Sequence, residues 1–126
     1  MNQQLIQEKR NNIRRLVRSA TIKPNVVYFN THNSWTHERI KAKICYHLQS
    51  LGKHYITEAP FGVEETGIAD ILNLDDAQII EILYSETLKQ CEWKARKFPD
   101  CIEVVAVKKA RDYIEGNYKV IKMELI

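Results

Sequence analysis

The stretch 68–86, IADILNLDDAQIIEILYSE, constrains this chain more than any other. It reads as two strands, 68–74 and 77–84, joined by a tight acidic turn at Asp75-Asp76. Each strand is apolar except for one carboxylate, Asp70 in the first and Glu81 in the second. Strand parity puts Ile68, Asp70, Leu72 and Leu74 on one face, and likewise Ile79, Glu81 and Leu83. Both acids therefore project among bulky apolar neighbours. A buried carboxylate is costly unless it is paired or metal-bound. Two of them on adjacent strands point to a function.

The 126 residues suit one domain, and 44% hydrophobic residues suffice for a core. With 28% charged residues the composition argues against disorder. No run of about 18 apolar residues exists, so no membrane span is expected. The first residues, MNQQLIQEKRNN, lack the apolar core of a secretory signal. Cys45, Cys91 and Cys101 are odd in number and lack CxxC spacing, and are expected to be reduced, mostly buried thiols. The net charge of +3 is uneven. Residues 1–23 hold six basic groups and one acid, and the remainder holds 13 basic and 15 acidic residues. A basic arm on a slightly acidic body suits a polyanionic partner.

The periodicity predicts a helix over 3–20, with Ile13, Leu16, Val17 and Ala20 on one face. Arg10, Arg14 and Arg18 stack on another face, with Arg15 beside them. That stripe either follows a phosphate backbone or is a solvated helix face. Residues 26–29 form a strand or a tether. A helix follows over 35–51, capped by Asn33 or Ser34 and ended by Gly52. Its apolar stripe is Ile40, Ile44, Leu48 and Leu51, and Glu38 lies in its first turn. A strand over 54–60 precedes the two that open this section. Ser85 is expected to cap a helix over 86–98 with Leu88, Cys91, Ala95 and Phe98 on its apolar side. A buried strand over 101–107, a short helix over 108–115 and an edge strand over 118–126 complete the chain. The expectation is an α/β fold with a mixed central sheet and helices on both faces. It divides into an arm (1–23), a core (34–108) and a C-terminal helix and edge strand (109–126).

Over about 36–108 the chain resembles the PD-(D/E)XK, restriction-endonuclease-like superfamily, whose core runs αβββαβ. The small archaeal or viral Holliday-junction-resolvase-like members are the most similar. The matching residues are Thr36-His37-Glu38, Gly67-Ile68-Ala69-Asp70, Ile80-Glu81-Ile82, Tyr84-Ser85-Glu86 and the basic helix ending Lys97-Phe98-Pro99. The resemblance implies metal-dependent endonucleolytic hydrolysis of duplex or branched DNA. Glu38, Asp70, Glu81 and the carbonyl of Ile82 would hold Mg²⁺ or Mn²⁺. Such an ion suits the chemistry, because phosphodiester hydrolysis needs an activated water and relief of charge on the phosphate. DNA is the expected partner, a homodimer the expected assembly, and the cytoplasm, such as that of a virus-infected archaeal cell, the expected setting.

One departure matters. The family's lysine usually stands two residues after the second strand acid, and here that residue is Leu83. Either Lys94 or Lys97 on the following helix replaces it, with Lys41 on the first helix behind them, or the domain binds DNA without cutting it. A third alternative is an interaction protein with no DNA binding. Glu58 is expected at a solvated edge rather than as an extra ligand, Glu86 at a helix N-terminus that favours acids rather than at the metal, and His37 is expected to pack or cap rather than bind metal. His32, His47 and His54 share no metal spacing, and no phosphate-binding glycine loop exists. Trp35 and Trp93 fall off the apolar centres of their helices.

Overall fold

The computed structural model describes residues 2–62, 67–84, 86–108 and 119–122. The elements run α1 (Gln3–Arg14), α2 (Trp35–Ser50), β1 (Tyr55–Pro60), β2 (Ile68–Asn73), β3 (Gln78–Ile82), α3 (Leu88–Ala95), β4 (Glu103–Lys108) and β5 (Lys119–Lys122). The five strands form one sheet in sequence order. β1, β2 and β3 pair antiparallel as a meander, β3 and β4 pair parallel across α3, and β5 returns antiparallel to β4. The expected α/β class with a mixed sheet is therefore found. The helix expected over 108–115 lies largely outside the described residues, as do Ser85 and the last four residues of the expected edge strand.

Alternation along the strands builds two cores, one per sheet face. Ile40, Cys45 and Leu48 of α2 pack with Tyr55, Ile71, Ile80, Ile82, Val105 and Val107. On the other face Cys91 and Ala95 of α3 and Val17 pack with Ile56, Leu72, Ile79, Leu83 and Ala106. Leu51 is a correction to the expected stripe, since it caps α2 and is exposed. The buried turn of the helix is completed instead by Lys41 and Cys45. Ser34 is the N-cap, accepting from the His37 N–H, and Gly52 ends the helix at φ 74°. That left-handed conformation is one glycine adopts freely.

Two helix boundaries also differ from expectation. α3 begins at Leu88 under a capping box made by Thr87 and Gln90, and ends at Ala95. α1 ends at Arg14, not near residue 20. Two tight turns follow, with Leu16 and Val17 donating to the carbonyls of Ile13 and Arg14. They swing Val17 into the core and leave Leu16 exposed. The Arg14 guanidinium then donates to the carbonyls of Ser19 (2.8 Å) and Ile22 (3.0 Å). Residues 26–29 are a tether: Thr57 Oγ1 accepts from the Tyr28 N–H and donates to the Val26 carbonyl.

The acidic turn between β2 and β3 also docks α1. Arg10 forks onto Asp75, Nε to Oδ1 at 2.9 Å and Nη2 to Oδ2 at 3.0 Å, and reaches the Gly52 carbonyl. Burial alone would raise the Asp75 carboxyl, but Arg10 and the His54 N–H outweigh it and hold it below its ordinary 3.8. A carboxyl depressed on folding stabilises above its unfolded pKa, and the contribution fades as pH falls through the folded value. Arg10→Ala should therefore cost about 2 kcal/mol near neutral pH. Urea unfolding should show the difference shrinking as pH falls below about 4.

Candidate functional site

The site forms where the sheet opens. β2 and β3 are paired through Ile71 and Ile80, and the next opposing positions are Asp70 and Glu81, where the pairing stops. The β1–β2 register also skips one row, the one that would set Glu58 against Asp70. Glu58, Asp70 and Glu81 thus mark one row across three adjacent strands. Glu58 departs from extended backbone there, at φ 53°. A left-handed glutamate inside a strand costs on the order of 1–3 kcal/mol and persists only where surrounding contacts enforce it.

Asp70 fills the gap in the ladder with its own side chain. Its Oδ2 accepts from the Ile82 N–H at 2.9 Å and meets His37 Nε2 at 3.3 Å. Glu81 is almost fully buried, and its Oε2 accepts from Lys94 Nζ at 3.3 Å. Its Oε1 is buried with no hydrogen-bond partner. Burial and then the Asp70 charge push Glu81 well above the usual carboxylate range, against the pull of Lys94. Burial would raise Asp70 too, but His37 and Glu81 outweigh it and hold Asp70 low. The two carboxylates thus oppose each other's charge, and that opposition falls on Glu81. Lys94 is pushed up: burial opposes its charge, but Glu81, Asp70 and Glu86 outweigh that.

Glu38 belongs to an adjoining network. Its carboxylate accepts from the Asn30 N–H, from Lys41 Nζ at 2.7 Å and from His37 Nδ1 at 2.9 Å. The His37 ring therefore stands between Glu38 and Asp70, bonded to both. Burial works against a charged imidazole, but the two carboxylates raise His37 on balance. Lys41 is fully buried and donates to Glu38, to Glu58 at 2.9 Å and to the Tyr28 carbonyl at 2.8 Å. Three acceptors match the three hydrogens of an ammonium.

The expected site residues divide accordingly. Asp70, Glu81 and Lys94 come together. Ile82 meets Asp70 through its N–H, whereas the expectation concerned its carbonyl. Glu38 joins Asp70 only through His37. Lys97 is exposed, its Cβ beside the close approach of Gly67 to Phe61. Leu83 is buried among apolar residues on the α3 side. Arg10 and Arg14 are engaged within the chain as described, and Arg15 Nη1 donates to Asn12. Arg18 joins the body through its backbone N–H, which donates to the Pro60 carbonyl. Cys45 and Cys91 are buried and Cys101 is exposed, so only two of the three thiols are covered.

Sequence reasoning missed Lys41 as a buried partner, Glu58 as its counter-ion and His37 as a bridge. The available signal was spacing: positions 37, 38 and 41 fall on one helix flank.

Among the described residues no three His, Cys, Asp or Glu side chains converge as a metal-ligand group. Asp70 and Glu81 do converge, with one carboxylate oxygen orphaned and their charges opposed. Mg²⁺ needs only one or two carboxylates and keeps several waters. The pair fits such an ion, and a cation there would relieve both the repulsion and the orphaned oxygen. Comparisons of the chain with protein-family models, curated proteins and solved structures found no match. Among the described residues no helix is long and apolar enough to cross a membrane.

Proposed function

We propose that the protein is a metal-dependent endonuclease of the PD-(D/E)XK type, hydrolysing phosphodiester bonds of duplex or branched DNA. The observation that carries this reading is the convergence of Lys94 with two opposed, buried carboxylates where β2 and β3 part. A buried carboxylate oxygen without a protein donor is a point where a cation can bind.

On this reading each residue has a distinct task. Asp70 is fixed by the Ile82 N–H and His37, so its carboxylate holds one geometry without induced movement. Glu81 supplies the second carboxylate, whose charge burial and then Asp70 disfavour until a cation offsets it. Asp70 and Glu81 would hold Mg²⁺ or Mn²⁺, which would supply Lewis acidity toward the phosphate and an activated water. Lys94 stays an ammonium beside Glu81, where it would offset charge developing on the phosphoryl oxygens. It would thereby replace the lysine that Leu83 displaces. α3 can do this because Cys91 and Ala95 seat the helix on the same sheet face that Glu81 projects from.

Lys94→Ala should lower the nicking rate of supercoiled plasmid with Mg²⁺ or Mn²⁺ by roughly 10²–10³. Lys94→Arg should recover part of it, and Lys97→Ala should lose far less. The burial of Leu83 also favours a second reading, a DNA-binding module that does not cut. That reading predicts binding with a steep salt dependence, no nicking with either ion, and no effect of Lys94→Ala beyond binding.

A further inference from the structure

Beside Glu38 lies a cleft of about 410 Å³ lined by Phe29, Asn30, Thr31, Asn33, Trp35 and Glu38. Trp35 is 70% exposed and Phe29 56%, both unusual for large aromatic rings. Their ring centres lie 6.5 Å apart and tilted by 54°, so the two rings form adjoining walls rather than a stack.

The cleft is held in shape before anything enters it. Asn33 donates its N–H to the Asn30 carbonyl, closing a turn, and Asn30 Oδ1 accepts from the His32 N–H. The Asn30 N–H is fixed on Glu38, and Lys41 Nζ sits 6.0 Å from the centre of the Phe29 ring. Trp35 is the first residue of α2, directly after its Ser34 cap. An exposed indole carried on such a frame presents a flat face to a flat partner.

Chemistry decides the occupant. None of the six lining residues is Lys or Arg, and one is a carboxylate, so the cleft repels a phosphate. Glu38 already accepts three hydrogen bonds and needs no ligand cation. What remains is two aromatic faces with the amide and hydroxyl groups of Asn33 and Thr31, which suits an uncharged aromatic ring with polar edges. The cleft is joined to the candidate cutting site by Glu38 and His37, two hydrogen bonds and one imidazole ring from Asp70.

We infer that this cleft receives an unstacked nucleobase of the strand being cut, stacked on Trp35 with Phe29 as the adjoining wall, while the neighbouring phosphodiester lies at Asp70 and Glu81. The inference rests on the endonuclease reading and narrows its substrate to DNA with an unpaired base at the scissile position: bulged, flapped or branched. The same pocket would discriminate against a fully paired duplex, whose bases must be unstacked at a cost to enter it.

The test uses the full chain with Trp93→Phe, leaving Trp35 as the sole tryptophan. Its fluorescence is titrated with Ca²⁺ in place of Mg²⁺ or Mn²⁺, using a bulged duplex, a single strand and a fully paired duplex. Nicking of the bulged duplex is measured separately with Mg²⁺ or Mn²⁺. Bulged and single-stranded DNA should quench Trp35 at concentrations where the paired duplex does not. Trp35→Ala should weaken binding of the bulged duplex, read by anisotropy of a labelled strand, by about tenfold or more, and Trp35→Phe should retain most of it. An unmoved Trp35 signal, or wild-type affinity in Trp35→Ala, overturns the inference whether or not the protein nicks DNA. Quenching that Trp35→Phe substitution preserves as affinity, in a protein that does not nick, upholds the pocket and removes the endonuclease reading.

Discussion

Lys41→Met should lower the free energy of unfolding by about 3–5 kcal/mol, the largest loss expected from any single substitution outside the apolar core. The ammonium is fully buried and saturated by Glu38, Glu58 and the Tyr28 carbonyl. Methionine fills a similar volume, so the loss is electrostatic rather than a cavity. It strands part of the Glu38 charge, which keeps only the Asn30 N–H and His37 as donors, and takes the ammonium from Glu58 and the Tyr28 carbonyl. A domain of this size has only about 5–15 kcal/mol of stability in total, so the variant should unfold in much less urea. Adding Glu38→Gln should recover part of the loss, because it removes the stranded charge. An unfolding midpoint unchanged by Lys41→Met would mean that the network is dispensable.

Glu81→Gln should separate stability from activity. The substitution keeps the shape, removes the charge opposed to Asp70 and adds an amide that can donate toward it. In metal-free buffer near neutral pH the variant should gain about 1–2 kcal/mol, several degrees in Tm. Its Mg²⁺-dependent nicking should fall by about 10³ or more, since a neutral amide neither holds the cation nor balances Lys94. A carboxylate kept only for structure would behave in the opposite way, and its neutral replacement would destabilise. Calorimetry and a plasmid nicking assay on the same preparation read the two effects together.

The strands and their acids were legible because the signal is local. One carboxylate in each apolar run, with fixed parity, puts Asp70 and Glu81 on the same face whatever surrounds them. Both prove buried as that pattern requires. Lys94 was legible as one of two lysines a turn apart, and its contact with Glu81 now singles it out from exposed Lys97. The basic stripe was ambiguous for a physical reason. Arginines spaced to follow phosphates are spaced equally well to clamp the chain's own acceptors, and Asp75, the acceptor Arg10 uses, lies 65 residues away. Local periodicity carries no trace of such a partner. The Lys41 network was hidden for two reasons. A lysine on an amphipathic helix is expected at the surface, and a left-handed turn at Glu58 has no sequence mark when the residue is neither glycine nor asparagine. Likewise α1 ends at Arg14 because its side chain takes the carbonyls of Ser19 and Ile22, a contact that the apolar periodicity running on to Ala20 obscures.

The central claim is that Asp70 and Glu81 form a cation-dependent phosphodiester-cleaving centre. Its most direct test is single-turnover nicking of supercoiled plasmid and of a bulged duplex by wild type, Asp70→Asn and Glu81→Gln. Each is assayed in EDTA, Mg²⁺ and Mn²⁺, with circular dichroism confirming that every variant is folded. Wild type should cleave only with a divalent ion, and both folded variants should lose cleavage. Cleavage retained in either variant, or a wild type that cuts neither substrate with either ion, would contradict it.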